Sequence, residues 1–525
     1  MSNRRETVCI LTAGLGSRMA PLDSIINKAL LPVNERAVIT HIIEKFPKDS
    51  RFIIAVGHFK QQVKDYLDIV HADLEISYVE VDKYMGPNTG PGYSLLCCED
   101  YLKCPFYFVS CDTMWDKQID SSLNHNWVAV ADAEYKEADK YCNIKVINGK
   151  VEGVVDKQRP NKSEYECYSA FTGLAFIKDW DIFWSGIKDP TLIEGERQVS
   201  LGLDKLIKSK KVKPYYINWI DVGTYESYKK IIGENGDFDF SKENEFLYIL
   251  DGKVIKFFSD QDIVKNRVNR AKKNQNVFPE IKFDRGQFYG YEFIEGKTLY
   301  ERNNRDIFRR FLEWSKDNLW MEPKELIGNF EKSCHDFYYS KTNLRVEMYY
   351  EKYNLRDGPQ RVNGKQIPTT SELLEKIDWS DLCDGCPVQF HGDLQFDNIL
   401  YDNEKDVFKL IDWRQDFGNG SQCGDIYYDL AKLYGGILVN YDLMKKNYFT
   451  YSEHNGSIWI EYLQRSTMND YIDELSIFVE ENQYDMAKVK MLAALIHLNM
   501  APLHMAPFDN LLYALGRLEL HELTQ

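Results

Sequence analysis

The chain has 525 residues, too many for one ordinary hydrophobic core, so two or three domains are expected. Apolar residues make up 44% and charged residues 28%, a globular balance, and the formal net charge of −16 argues against a nucleic-acid-binding face while leaving room for local phosphate sites. No apolar run reaches the roughly 20 residues that span a bilayer, so membrane insertion is not expected. The 11 cysteines are scattered and odd in number, which fits reduced thiols and a cytoplasmic location. Cys383 and Cys386 form a lone C-x-x-C without a second pair or histidines at metal-site spacing, so no metal role is read from them.

The N-terminal segment has two arginines and a short apolar run that stops at glycines; it reads as a first strand, not a leader peptide. "TVCILTAGLGSRM" is a continuous apolar run ending in a glycine-rich turn, the pattern of a buried parallel strand that feeds a phosphate loop. Gly14 and Gly16 lack Cβ atoms, which lets backbone N–H groups approach an anion, and Arg18 adds a fork suited to phosphate oxygens. Taken alone, the same glycines are equally compatible with a tight strand–helix turn. A helix at "HIIEKF", a strand at "RFIIAVGHF", an amphipathic helix at "QQVKDYLDIV" and a strand at "LEISYVEV" then alternate, which indicates an α/β sheet of mostly parallel order. Such sheets bind ligands at the C-terminal ends of their strands. There "PFYFVSCDTMW" puts Asp112, a natural Mg²⁺ ligand, and "YYINWIDVGTYESYKK" repeats the design with Asp221.

From about Val8 to Ile232 the order of motifs resembles the sugar-phosphate and phosphocholine nucleotidylyltransferases. The motifs are "LTAGLGSRMAPL", "NKALLPV", "VSCD", "VVDKQ" (with Asp156 where that family usually has Glu), "SAFTGLAFI" and "WIDVGTYESY". The resemblance implies a Rossmann-like α/β/α domain over residues 1–233. It implies that Leu11, Ala13, Gly14, Gly16 and Ser17 bind the nucleoside triphosphate, that Arg18 and Lys28 act on it catalytically, that Asp112 and Asp221 hold Mg²⁺ and that Lys157 binds the incoming phosphate. For each charged residue a surface ion pair is the plain alternative, most of all for Lys157, whose motif is altered. A phosphate monoester is already ionised near neutral pH, its second pKa being about 6, so this chemistry needs charge neutralisation and in-line placement but no general base. "NTGPGYSLLCCEDYL", Asn88 to Leu102, resembles phosphocholine-type cytidylyltransferases and lacks the Gln and Gly-Thr pattern of hexose-1-phosphate enzymes, so CTP is the expected nucleotide.

"IIGENGDFDFSKENEF", Ile231 to Phe246, reads as a linker. "EFLYILDGKVIKFF" is a hairpin around Asp251–Gly252, with Lys256 among apolar neighbours in its second strand, where an edge-strand lysine is the alternative reading. "QFYGYEFIEGKTLYE" gives a strand, a turn and a helix start, and "NRDIFRRFLEWSKDNLW" an amphipathic helix. In "HGDLQFDNILYDNEKDVFKLIDW", Asp393 and Asn398 are five apart on a loop; "DVFKL" returns antiparallel to "NILYD" and brings Asp412 back to that loop. One carboxylate to accept a hydroxyl proton, with Asn and Asp as Mg²⁺ ligands, is the apparatus of phosphoryl transfer.

With "LIDW" and "GDIYYDLAKL", this segment resembles the choline kinase and aminoglycoside phosphotransferase family. That implies a two-lobed, protein-kinase-like α+β domain over residues 234–525, using ATP and Mg²⁺. In it Asp393 is the base, Asn398 and Asp412 the metal ligands, Lys256 the nucleotide-binding lysine, and His391 and Asp429 supports of the loop. Two departures stand out. "DQDIVKNRVNRAKKNQ" has no Glu to pair with the lysine, and no convincing glycine-rich loop precedes "FLYIL", although Gly233 and Gly236 are near. Aromatics in "YGGILVNYDLMKKNYFTY" and "SIWIEYLQR" either stack on a cationic head group or pack helices. The run "KLIKSKKVKPY" reads as a solvated helix end, and His125, His454, His497, His504 and His521 show no metal-ligand spacing.

Together the halves are expected to form a bifunctional enzyme: a kinase phosphorylates a small alcohol or amino-alcohol, and a cytidylyltransferase activates the product, by family analogy for surface-polysaccharide decoration. The alternatives are a sugar kinase joined to a UTP- or GTP-dependent nucleotidylyltransferase, and a regulatory protein with a decayed kinase half. The oligomeric state is not legible.

Overall fold

The structure is a computed structural model, and it describes residues 5–233, 244–323, 329–418 and 423–525. The linker expected within Ile231 to Phe246, with its Gly236, falls largely on residues 234–243, outside the described residues. The described chain divides into two compact units: one gathers residues 5–233, 244–259 and 285–288, the other 260–284 and 289–525. No helix among the described residues is long and apolar enough to cross a membrane.

The first unit is built on a nine-stranded sheet. Thr7–Leu11 lies between Arg51–Val56 and Phe106–Ser110, parallel to both, and Glu75–Glu80 continues the parallel order. The opening strand is apolar from Val8 to Leu11 because both of its faces are covered: Val8, Cys9 and Ile10 are fully buried. On one face Cys9, Leu11, Ile53 and Phe108 pack in a cluster with Phe183, Trp184, Leu203 and Leu206 of the helices Trp180–Ile187 and Ser200–Ser209. Burying each large side chain of this kind contributes roughly 1.5–3 kcal/mol.

The sheet is more mixed than the sequence pattern suggests. Tyr168–Ile177 runs antiparallel to Phe106–Ser110, to Trp127–Ala131 and to Cys142–Ile147, and Lys150–Asp156 is antiparallel to Cys142–Ile147. A continuous apolar run reports burial on both faces but not strand direction, which the connections decide. "PFYFVSCDTMW" is likewise two strands, Phe106–Ser110 and Thr113–Trp115, with Asp112 in the turn between them. Thr113–Trp115 pairs with Trp219–Asp221, Asp221 standing opposite Thr113.

The hairpin Glu245–Leu250 and Lys253–Phe258 forms as expected, with Asp251 and Gly252 both at positive φ, the requirement of a tight two-residue turn. It clusters with the first unit, where the Tyr248 hydroxyl donates to the Leu30 carbonyl at 2.7 Å.

In the second unit Arg305–Asn318 is the amphipathic helix its spacing predicts, burying Phe308, Phe311 and Leu312 and capped by Asn304. Ile399–Asp402 and Val407–Leu410 pair antiparallel, Ile399 opposite Leu410, as the sequence indicates. The strand stops at Leu410, so Asp412 lies two residues beyond it, at φ 59°. Ile426–Leu438, Met486–Met500 and Phe508–Leu523 pack together as the helical core.

Candidate functional site

In the first unit, register brings expected residues together beyond the C-terminal ends of two central strands. Leu11 pairs with Ser110, so the glycine turn after Leu11 and the turn holding Asp112 leave the sheet side by side. Gly14 and Ser17 in that turn are exposed, and Gly16 adopts φ 71°. Leu11 and Ala13 are buried and present backbone only. The Asn27 side chain ties the turn down by donating to the carbonyls of Thr12 and His58 at 2.9 and 2.8 Å.

Asp112 is the centre of the polar cluster. One carboxylate oxygen takes a hydrogen bond from Lys28 Nζ at 2.7 Å, and the other takes one from Ser110 Oγ at 2.5 Å. An Arg18 guanidinium nitrogen stands 4.0 Å away. Burial works against the charge on Asp112, but the Lys28 ammonium outweighs it and holds the carboxyl down at about 2. Lys28 itself, also opposed by burial, is raised by Asp112. Asp221 arrives from the neighbouring strand, where the Val222 N–H donates to the Asp112 carbonyl at 3.0 Å. It accepts from the Gly223 N–H at 2.8 Å and from the Tyr141 hydroxyl at 3.4 Å. Burial, then the Asp112 charge, push its carboxyl up.

Gly223 marks where these groups meet. A Cβ there would lie 2.8 Å from Asp221 Oδ1, 3.4 Å from Asp112 Oδ2 and 3.5 Å from Arg18 Nη2. Two carboxylates converging with two cations fit Mg²⁺, which is commonly held by one or two carboxylates while substrate phosphates supply further oxygens. Among the described residues no group of three or more His, Cys, Asp or Glu side chains could hold a metal without such help.

Lys157 is at positive φ, 51°, and ion-paired to Glu194 and Glu196 at 3.1 and 3.3 Å. Its N–H donates to the Tyr141 carbonyl, so it is one residue removed from the Asp221 contact. The Glu194–Glu196 turn is itself bonded to the Asn88–Gly92 segment through Asn88 N–H to Gly195 O and Arg197 N–H to Thr89 O. Ser110, Tyr141, Glu194 and Glu196 escaped sequence reasoning, since nothing in their local pattern distinguishes them.

In the second unit the loop around Asp393 is held from beneath. The buried Asp429 carboxylate accepts from the N–H groups of His391 and Gly392 at 2.7 and 2.8 Å and from the Trp320 indole at 3.1 Å. Burial nevertheless pushes its carboxyl up to about 6. The Asp393 N–H donates to His391 Nδ1, so the ring proton sits on Nε2 and donates to the Ile411 carbonyl at 2.9 Å. Burial lowers the His391 pKa to about 4, which keeps the ring neutral. Gly392, at φ 87°, has no room for a side chain: a Cβ would come within 2.7 Å of Phe390 and Arg414.

Asn398 donates its amide to the Asp393 carbonyl at 2.8 Å, which leaves the amide oxygen as the face it can offer to a cation. The Ile411 N–H donates to the Asn398 carbonyl, which brings Asp412 back beside it. This Asn and Asp pair also fits Mg²⁺ completed by phosphates. Two cations at this site were not foreseen. Lys432 Nζ lies 2.9 Å from Asp393, and Arg267, on the helix Gln261–Lys273 that lacks Glu, lies 3.6 Å from Asp412. Lys432 is three residues after Asp429 on one helix, a same-face spacing that could have flagged it. Lys256 is nearly buried, opposite Leu247 in the hairpin clustered with the first unit.

Comparison with known proteins now bears on the first unit. Residues 8–138 match the model of the MobA-like NTP transferase domain, so the N-terminal part carries a domain of that class. "Bifunctional protein GlmU" of Methanocaldococcus jannaschii is 27% identical over 218 residues, 41% of this chain and 50% of that protein. "Bifunctional IPC transferase and DIPP synthase" of Archaeoglobus fulgidus is 25% identical over 227 residues, 42% of each chain. The chain thus spans about half the length, or less, of these curated relatives. Among solved structures, an apo UDP-glucose pyrophosphorylase aligns with a TM-score of 0.39 at 19% identity, over 44% of this chain and 98% of that one. The CTP:phosphocholine cytidylyltransferase LicC of Streptococcus pneumoniae aligns with a TM-score of 0.35 at 23% identity, over 43% and 98%.

Proposed function

We propose that the chain is a bifunctional enzyme whose two reactions are consecutive, divided near residue 233. In the N-terminal domain a phosphate monoester attacks the α-phosphorus of a nucleoside triphosphate; the new P–O bond forms as the bond to pyrophosphate breaks. The observation that carries this reading is the convergence of Arg18, Lys28, Asp112 and Asp221 near Gly223, beside the glycine turn that follows Thr7–Leu11. The turn of Gly14, Gly16 and Ser17, with the backbone of Leu11 and Ala13, cradles the triphosphate, while Arg18 and Lys28 neutralise its charge. Mg²⁺, when bound by Asp112 and Asp221, would supply further charge neutralisation on the phosphates. Lys157 takes the incoming phosphate, with Glu194 and Glu196 orienting its ammonium.

In the C-terminal domain Asp393 accepts the proton of an alcohol as its oxygen bonds to the γ-phosphorus of ATP and ADP leaves. Asn398 and Asp412 would hold Mg²⁺ there, Lys256 would bind the nucleotide phosphates, and His391 and Asp429 keep the loop in shape. The Tyr93–Ser94–Leu95 start of the helix Pro91–Cys97 favours CTP and a phosphate on a primary hydroxyl, so the product is a CDP-activated compound of the kind used in surface-polysaccharide decoration. A sugar kinase joined to a UTP- or GTP-dependent enzyme of nucleotide-sugar synthesis is the second reading. Incubating the full chain with ATP, each nucleoside triphosphate and a library of alcohols and sugars, followed by mass spectrometry, decides between them. A CDP-linked product supports the first reading; a hexose-linked UDP or GDP product overturns it.

A further inference from the structure

Around Asp393 the charge is lopsided. Lys341 feels the charges of Arg414, Lys432 and Arg345, opposed by that of Asp393, and a Cβ on Gly392, the neighbour of Asp393, would lie 2.7 Å from the Arg414 side chain. Lys432 is satisfied by Asp393 at 2.9 Å. Lys341 is partly buried and forms no ion pair among the described residues; its ammonium sits 4.0 Å from the centre of the Phe337 ring and 5.6 Å from that of Tyr428. The Arg414 guanidinium lies 4.9 Å from the same Phe337 ring. Burial, then the charges of Arg414, Lys432 and Arg345, push the Lys341 pKa well down against the opposing charge of Asp393.

Local backbone supports a purpose for this arrangement. A π-helical turn, Asp336–Ser340, immediately precedes Lys341 and the helix Lys341–Tyr353. Single π turns inside α-helices cost stability and occur frequently at functional sites. A quaternary ammonium or amino-alcohol is the wrong partner for such a place: aromatic faces would attract it, but Lys341 and Arg414 already occupy the Phe337 ring, and like charges repel.

We propose that the acceptor alcohol carries an anionic group, a carboxylate or a phosphate, which Lys341 and Arg414 bind over the Phe337 and Tyr428 rings while its hydroxyl faces Asp393. This rests on the phosphotransferase reading of the second unit and narrows it against the amino-alcohols that the family resemblance suggests. Arg414 offers a planar fork for two anion oxygens and Lys341 a point charge, so one small anion satisfies both.

The test measures binding of five size-matched probes to the full chain in Mg-ADP: glycerate, glycerol 3-phosphate, glycerol, ethanolamine and choline. At least one of the two anions is expected to bind at millimolar concentration or better, and glycerol, ethanolamine and choline at least tenfold more weakly. The comparison of glycerate with glycerol 3-phosphate separates carboxylate from phosphate. Lys341→Met and Arg414→Met should each weaken the anion at least tenfold, with unfolding midpoints retained, Lys341→Arg should restore most of the affinity, and Mg-ATP affinity should stay constant. Equal binding of a cation or of glycerol, no anion binding, or a Met variant that loses Mg-ATP affinity instead would overturn the proposal, the last by assigning the cluster to the nucleotide. Failure of the phosphotransferase reading looks different: Mg-ATP would not bind, and no alcohol would give Asp393-dependent ADP.

Discussion

Each unit holds a lysine against an aspartate, but the first pair encloses both members, with Lys28 17% exposed, and the second encloses only the lysine. At Lys28–Asp112 the carboxylate is enclosed, 14% exposed, and is also held by Ser110. At Lys432–Asp393 the lysine is enclosed, 8% exposed, and the carboxylate is open at 37%. The first arrangement fixes a charge that a fully charged ligand can use; the second leaves a carboxylate accessible to an incoming hydroxyl. Charge balance differs as well: Arg18 and Lys28 meet Asp112 and Asp221, two against two, whereas Asp393 is paired with Lys432 while Lys341 and Arg414 share the Phe337 ring nearby. A balanced cluster suits a ligand that brings both phosphates and metal; an unbalanced one suits an anion that comes alone.

The sharpest break between the regions should come from Asp112→Ala. Pyrophosphate release is expected to fall by on the order of 10² to 10³, the loss typical of removing one electrostatic stabiliser, while ATP turnover persists. Near wild-type release at limiting Mg²⁺ would remove Asp112 from the metal site. Asp393→Asn is the mirror experiment: ATP-dependent phosphorylation should drop by on the order of 10², with nucleotidyl transfer to a supplied phosphorylated substrate nearly intact. Loss of both activities in either folded variant would contradict two independent sites.

A smaller effect sharpens the first site alone. CTP should be preferred over UTP and GTP by about tenfold or more in kcat/KM, because a pocket that hydrogen-bonds the cytosine edge leaves polar groups unpaired against uracil. Equal turnover with UTP, or efficient use of a hexose 1-phosphate, transfers the assignment to the nucleotide-sugar reading.

The smallest effects concern stability and have opposite signs in the two regions. Asp112, held down at about 2, contributes stability that is complete above about pH 4 and is lost as the pH falls toward 2. Asp429, pushed up to about 6, binds its proton more tightly in the fold than in the unfolded chain. Its contribution is therefore complete below about pH 4 and declines as the pH rises through 6. Denaturant titrations across pH should show Asp112→Asn flattening the acid limb and Asp429→Asn reducing the slope between about pH 4 and 6. That slope should not vanish, since burial also pushes Asp425 up to about 6. An unchanged profile in either variant would refute the corresponding assignment.

Much of the first unit was legible in the chain because its signals are local. Apolar runs marked Thr7–Leu11 and Arg51–Val56, and Asp251–Gly252 announced a turn that needs two positive φ angles. The antiparallel return to Asp412 followed from two short strands a few residues apart. Strand direction was less legible: Tyr168–Ile177 is as apolar as a parallel strand yet runs the other way.

By itself, then, the sequence determined the strands and helices, the exposed glycine turn and the acidic residues placed just beyond strands, all of which depend on side-chain periodicity and backbone preference within a few residues. Only the tertiary structure decided that Asp221 meets Asp112 across 109 positions, that Arg267 stands 3.6 Å from Asp412, and that Lys341 and Arg414 share one aromatic ring. Those pairings depend on how distant segments pack, and ion pairs and desolvation act over a few ångströms of space, a distance that residue spacing along the chain does not encode.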